Sequence, residues 1–368
     1  MAGPLSGIKL VEFVGIGPGP FCGMILADLG AEVIRIDRAS QHGQGNTIDF
    51  QHRSKLSLSA DLKNPKTIEE IKKLLASVDG LIEGFRPGVM ERLGLGPEEC
   101  LKINSNLVYG RMTGWGQEGP LAKTAGHDIN YIALTGALGS MGRKGQTPPP
   151  PLNLVGDFGG GGMFLALGIV SALLSIKQGG KGQVVDAAMV DGASILMTMF
   201  YAFKASGFWL DERESNALDG AAHFYDTYEC ADQKFLAVGS IEPQFYSILL
   251  EKLEISDLKF QDQHNKELWP ELKTIIKDKI KQKTRDEWAD IFDGSDACVA
   301  PVLSLSEAPE HHHMKARNSF VEVDEIIQPA PAPRFSVTTP NIKHSSVKAG
   351  ENNDEICSKY DLDRSCFS

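Results

Sequence analysis

The stretch VEFVGIGPGPFCGMILADLGAEVIRIDR, residues 11–38, decides the fold. An apolar strand-like run ends in a glycine turn. A helix-like run follows, PFCGMILADLG, with Gly30 placed to close it. AEVIRID then reads as a second strand that ends in an acid. That is the outline of a dinucleotide-binding unit, but the phosphate chemistry does not fit it. A G-x-G-x-x-G fingerprint started at Gly15 puts Pro20 in the sixth position, and one started at Gly17 puts Cys22 there. Pro18 and Pro20 also lack the backbone N–H groups that would cradle a pyrophosphate. Asp37 does stand where a ribose-binding acid would be. The topology is therefore kept, NAD and FAD are set aside, and the glycines are read as serving close packing of helix on strand.

The alternation continues outward. A polar loop is expected from Arg38 to about Lys55, and LSLSADL is expected to be extended. NPKTIEEIKKLLASV reads as a helix with Asn64 as N-cap and Pro65 at its first position. DGLIEGF and NLVYGRMTGWG read as strands. The segment GRKGQTPPPPLNLVGDFGGGGM reads as a loop that leads into a helix, MFLALGIVSALLSIKQ. GKGQVVDAAMVDGASIL adds a strand and a further helix. Strands alternating with helices predict an α/β domain on a parallel sheet. From about Asn216 the style changes. HFYDTYECADQKFLAVGSIEPQFYSILLEKL predicts a short antiparallel hairpin and a helix, and KELWPELKTIIKDKIKQKTRDEWADIFDG two amphipathic helices. Residues 220–312 are taken as a smaller α+β domain.

Bulk properties narrow the function. The 368-residue chain carries a formal charge of −11, with 42% hydrophobic and 23% charged residues. That composition is globular and argues against non-specific nucleic-acid binding. A polyanionic ligand would need a local basic pocket. Six cysteines stand singly, which predicts reduced thiols in an intracellular compartment. No charged-then-apolar leader opens the chain. MFLALGIVSALLSI is short for a membrane span, so no membrane insertion is expected. The C-terminal SCFS is neither a prenylation box nor an SKL-type signal. His311, His312 and His313 are adjacent and point apart on most backbones, so no metal site is assigned.

Several long motifs carry a resemblance. PGPFCGMILADLGAEVIRIDR, AGHDINY, PLNLVGDFGGGGM, GKGQVVDAAMVDG, GSIEPQFY and DACVAPVL together resemble the family III CoA-transferase (CaiB/BaiF-like) superfamily. Within it they are similar to the branch that racemises 2-methylacyl-CoA thioesters, along nearly the whole chain. The resemblance implies a Rossmann-like large domain made of 1–200 and 313–368, completed by the C-terminal segment. It implies a linker at 201–219, the small domain at 220–312, and interlocked homodimers. It also implies a cofactor-free isomerase in which CoA is part of the substrate, acting on branched-chain fatty acid and bile acid intermediates. A peroxisomal or mitochondrial setting is implied by the same resemblance.

The reaction implied needs a base on one face of the α-carbon, a proton donor on the other, and a group to hold the enolate oxygen. An imidazole titrates near neutrality, so His127 can exchange roles; a lone histidine is more often a helix-cap or core residue. Asp157 could be a simple N-cap of the following helix, and in that case backbone N–H groups around it would aim at an enolate oxygen. Glu242 is either an exposed glutamate before Pro243 or, by resemblance, the carboxylate that supports His127. The resemblance assigns catalysis to His127, Asp157 and Glu242. Gly126, Asp128, Ile129, Asn130, Tyr131 and Asn153 are expected around them.

CoA is expected among the early basic residues Arg35, Arg38, Arg53, Lys55, Lys63, Arg86 and Arg92. Arg38, Arg86 and the run Ala60, Asp61, Leu62 and Lys63 are the specific candidates. Met-bearing segments such as SILMTMF could supply an adaptable surface to the acyl chain. The rival reading is a CoA-transferase using Asp157 as nucleophile. His127 weighs against it, since a transferase needs no second base across the α-carbon.

Overall fold

The computed structural model describes residues 3–368. It divides into two compact units, Met1–Thr135 with Pro151–Met197 and His312–Ser368, and Gly136–Pro150 with Thr198–His311. The first unit is built on six parallel strands: β1 (Lys9–Phe13), β2 (Glu32–Arg38), β3 (Lys55–Ala60), β4 (Gly80–Glu83), β5 (Val108–Thr113) and β6 (Gln183–Ala188). Their order is β3-β2-β1-β4-β5-β6. The strand sequence thus reverses direction between β1 and β4, the place where open α/β sheets bind ligands at the carboxyl ends of their strands.

The opening stretch folds as its pattern predicts. Gly17 takes φ +75°, which favours glycine, and Pro18 starts the Pro18–Asp28 helix. Gly30 at φ +107° ends it. The Ala31 N–H donates to Leu26 O at 3.0 Å and the Gly30 N–H to Ala27 O at 2.9 Å, a Schellman closure. This helix is almost wholly buried, which is why it is apolar on most sides.

The two faces of β1–β3 differ. Val11, Phe13, Ile34, Ile36, Leu58 and Ala60 join one apolar cluster. The alternate positions Glu12, Arg35, Asp37, Lys55, Ser57 and Ser59 are buried and polar. Lys55 Nζ donates to Glu12 Oε2 at 2.7 Å and to Pro20 O at 2.9 Å. A Cβ on Gly23 would fall 1.7 Å from Glu12 Oε2, so the helix needs glycine there to admit the carboxylate. The outer strand β3 is capped by the C-terminal segment. The Ser57 and Ser59 N–H groups donate to the side-chain oxygens of Asn352 and Asn353, at 3.0 and 2.9 Å. Phe367 bridges to Ala60. An edge strand that would invite foreign pairing is thereby covered.

Two expectations are corrected. The segment before MFLALGIVSALLSIKQ is a loop only as far as Asn153. Leu154–Gly162 is a π-helical turn that runs directly into the Met163–Lys177 helix. The continuous 24-residue run Leu154–Lys177 contains an 18-residue window of mean hydropathy 1.8, long and apolar enough by those measures to cross a bilayer. It is placed instead as the crossover from β5 to β6, with Leu165, Ile169 and Leu173 in the core cluster.

The second unit contains a three-stranded antiparallel sheet of β7 (Tyr225–Glu229), β8 (Phe235–Gly239) and β9 (Val299–Pro301). The helices Pro243–Lys252, Trp269–Ile280 and Arg285–Phe292 supply its core, with Phe224, Tyr246, Phe260, Trp269 and Trp288 buried together. Two segments depart from the expected division. Residues 136–150 belong to this unit, tied in by Arg143, whose guanidinium pairs with Asp226 at 2.5 Å and Glu214 at 3.1 Å. Residues 201–219 are not a separate linker, since the Thr198–Ala205 helix and residues 206–219 are part of the same unit.

Candidate active site

A cavity of about 510 Å³ opens at the carboxyl ends of β1, β4 and β5, at the reversal point of the sheet. Phe13 to Ile16, Ile82, Gly84 to Pro87 and Met112 to Trp115 line it, with Pro18, Gly19 and Pro20 from the first helix. His127 and Asp157 both face it. The sequence-predicted imidazole and carboxylate are therefore brought together.

His127 starts the Asp128–Leu134 helix. Its backbone N–H donates to Asn130 Oδ1 at 3.0 Å, so the Asn130 side chain serves the helix start. Asn130 and Ile129 do not line the cavity. Gly126 and Tyr131 do, and the Tyr131 hydroxyl donates to the Gly126 carbonyl. Trp115 meets the Tyr131 ring edge-on, with centroids 4.8 Å apart.

Asp157 lies in the first turn of the π-helical segment and is not the N-cap, which is Asn153. Such turns insert a residue into an α-helix and turn a side chain out of register. Gly17 approaches the carboxylate from the opening turn: a Cβ there would sit 3.1 Å from Asp157 Oδ2. Asn153 Nδ2 donates to Oδ2 at 3.2 Å. Burial pushes the Asp157 carboxyl above the usual aspartate value, and the nearby Asp128 charge acts in the same direction; the Asn153 hydrogen bond and His127 oppose them. A carboxyl raised in this way is better suited to returning a proton.

The backbone donors expected around Asp157 are partly spent. The N–H groups of Gly156 and Asp157 both donate to Asp128 Oδ1, at 2.7 Å each. They are not available to an enolate oxygen. Asp128 itself is 5% exposed, so its expected place among substrate contacts is also corrected.

The basic residues sort sharply. Arg38 and Arg86 are exposed and line the cavity. Arg35, Arg53 and Lys55 are buried in ion pairs with Asp37, Asp28 and Glu12, and cannot receive CoA. Asp37 is occupied by Arg35 at 2.7 Å and by the Ser57 hydroxyl at 2.5 Å, which removes it as a ribose ligand. Ala60 to Lys63 lie at the end of β3, at the same sheet edge, without lining the cavity. There Asp61 Oδ1 accepts the Lys63 N–H at 2.9 Å, a turn that leaves the lysine exposed. Arg92 is exposed, next to Gly88, and lies outside the lining. Glu242 belongs to the second unit, as the exposed N-cap of the Pro243–Lys252 helix. Ile16, Phe85 and Trp115 are lining residues that sequence reasoning missed. Their signal was position, since each stands two or three residues past the carboxyl end of β1, β4 or β5.

The family profile of CoA-transferase family III matches residues 5–353. This chain belongs to that family. It is 45% identical to the alpha-methylacyl-CoA racemase of Mus musculus, over 97% of this chain and 93% of that protein. Identity to the alpha-methylacyl-CoA racemase of Homo sapiens is 44%, over 98% and 94%. The fold is similar to the crystal structure of a CAIB/BAIF family protein from Brucella suis, with TM-score 0.84 and 25% identity over 98% of this chain and 100% of that one.

Proposed function

We propose that the chain interconverts (2R)- and (2S)-2-methylacyl-CoA thioesters by proton removal and return at the α-carbon. The observation that carries this reading is the cavity that His127 and Asp157 share. One of the two takes the α-proton, and the C–H electrons pass into the thioester as an enolate. The other group gives a proton to the opposite face. One proton leaves and one enters, so no redox cofactor or metal is required by the balance. His127 handles the S form and Asp157 the R form, by family analogy. Arg38 and Arg86 receive the CoA phosphates at the mouth of the cavity, where charge-assisted hydrogen bonds to guanidinium are strong. By the same family analogy, Glu242 is assigned as the carboxylate that supports the imidazole.

The exposed apolar side chains Leu154, Met163, Leu167, Leu174, Ile195 and Leu196 of the first unit support a homodimer, since an apolar surface of this kind is usually covered. The compartment proposed is peroxisomal or mitochondrial, with branched-chain fatty acyl and bile acid intermediates as substrates.

The test is deuterium incorporation. Purified protein is incubated with a (2R)-2-methylacyl-CoA in D2O without added cofactor, and the α-carbon and its configuration are followed. Exchange with loss of optical purity is expected, and His127→Ala should lower its rate by about 10²–10⁴-fold while the fold persists. Transfer of CoA to an added carboxylate without exchange would instead make Asp157 a nucleophile and overturn the reading.

A further inference from the structure

The geometry points to Asp128 as a positioning residue: it stands directly after His127 in the chain, and its carboxylate holds the backbone of the turn that carries Asp157. It thereby sets one acid/base group against the other. The inference rests on the reading of His127 and Asp157 given above.

Three observations carry it. Asp128 Oδ1 accepts both the Gly156 and the Asp157 N–H, each at 2.7 Å. Those donors are free for a side chain because they lie in the first turn of the helix, ahead of its first backbone bond from Phe158 N–H to Asn153 O. Gly156 is shaped to this contact, since a Cβ there would fall 2.6 Å from Asp128 Oδ1. Asp128 Oδ2, finally, is buried and has no hydrogen-bond partner among the described residues. An amide at this position would satisfy the same two N–H groups as well as a carboxylate does. What the carboxylate adds is a negative charge that acts to raise the Asp157 pKa.

Burial is the largest influence on Asp157; of the charged groups around it, Asp128 acts with burial and His127 against it. The Asp128–Leu134 helix presents Asp128 and Tyr131, with His127 at its start, and Asn153 lies four residues before Asp157. The Pro18–Asp28 helix contributes the Gly17 backbone at its cap. The Met163–Lys177 helix carries its one charge, Lys177, at the far end. Asp191, on the Met189–Leu196 helix, acts on Asp186 of β6, as does Arg111 of β5. Asp128 therefore does two things through Asp157. It fixes where the carboxyl sits, and it favours the protonated form.

Asp128→Asn and Asp128→Ala separate these effects. Both are compared with the wild-type protein by α-deuterium exchange across pH, and by NMR titration of ¹³C-carboxyl-labelled Asp157, assigned with Asp157→Asn. Asp128→Ala should lower kcat by about 100-fold, the scale of a misplaced catalytic group, with KM within about twofold. Asp128→Asn should keep kcat within about fivefold, on the same scale of argument, and move the Asp157 titration to lower pH. An unchanged titration in Asp128→Asn, or a rise in KM with kcat intact in either variant, would overturn the inference. If the wild-type protein exchanges no 2-methylacyl-CoA at all, the reading of the reaction fails. The NMR titration then still decides whether Asp128 controls Asp157.

Discussion

The charged layer of the first unit and the buried histidine of the second meet desolvation in opposite ways. The first carries a layer of charges on one face of β1–β3, in which Lys55 and Glu12 are both fully buried and paired at 2.7 Å. Arg35 with Asp37 and Arg53 with Asp28 repeat the pattern. The second unit buries a single histidine, His223, among Phe224, Tyr246 and Phe260, with its Nε2 2.6 Å from the Tyr246 hydroxyl. Burial pushes His223 from the usual 6.5 down to about 4, with His264 acting in the same direction. The first arrangement is stable only while every charge keeps its partner. The second is stable only while the histidine stays neutral. The difference also decides function, because a cation committed to a buried pair is lost to ligand binding.

The largest effect should come from splitting a buried pair. Lys55→Met leaves Glu12 charged and buried without its partner, which should cost about 3–5 kcal/mol in denaturant unfolding. The double variant Glu12→Gln with Lys55→Met should recover much of that loss. If Lys55→Met is neutral, the charged layer does not hold the helix.

Acid should act on the second unit. The folded-state pKa of His223 is depressed, so its contribution is present above pH 6.5 and is lost as pH falls from 6.5 toward about 4. The loss should approach about 3 kcal/mol. Tryptophan fluorescence of the core residues Trp269 and Trp288 would track it. His223→Gln should flatten the response in that window, and an unaltered acid profile would remove His223 as its cause.

Exposed cations should behave differently from either. Arg38→Ala or Arg86→Ala should raise KM for acyl-CoA about tenfold, the equivalent of about 1.4 kcal/mol, with unfolding midpoints unchanged. The rise should shrink at high salt, since exposed charges are screened. Equal effects from Arg38→Ala and Arg92→Ala would show that the cavity mouth does not select between them.

A further effect is expected at Gly17. Alanine there must adopt φ +75° with ψ −114° and approach the Asp157 carboxylate, at about 1–3 kcal/mol of backbone strain. Exchange rate should fall more than stability does. A rate unchanged in Gly17→Ala would mean that the opening turn only packs and does not shape the site.

Local patterns were enough for much of this protein. Gly30 after an apolar helix, Asn64 and Pro65 before an amphipathic one, and strand-like runs spaced for crossover helices gave the parallel α/β unit, because each is a short-range steric or hydrogen-bonding preference. The prolines of GIGPGP excluded a pyrophosphate site for the same reason. His127 and Asp157 were legible as chemical types in long motifs. Their meeting in one cavity needed the sheet order, since 30 residues separate them in the chain and only the crossover from β5 to β6 closes that distance.

Tertiary structure alone decided the rest. Alternation in EVIRIDR does not say which face is covered, so Arg35 and Arg38 read alike until packing buries one and leaves the other at a strand end. The glycine run after Asp157 reads as a loop, because the π-helical turn is held by a carboxylate from another helix. Sequence sets what each residue can do locally. Which charges are desolvated, and which donors are already taken, depends on partners distant in the chain, and those two facts fix the chemistry left to the site.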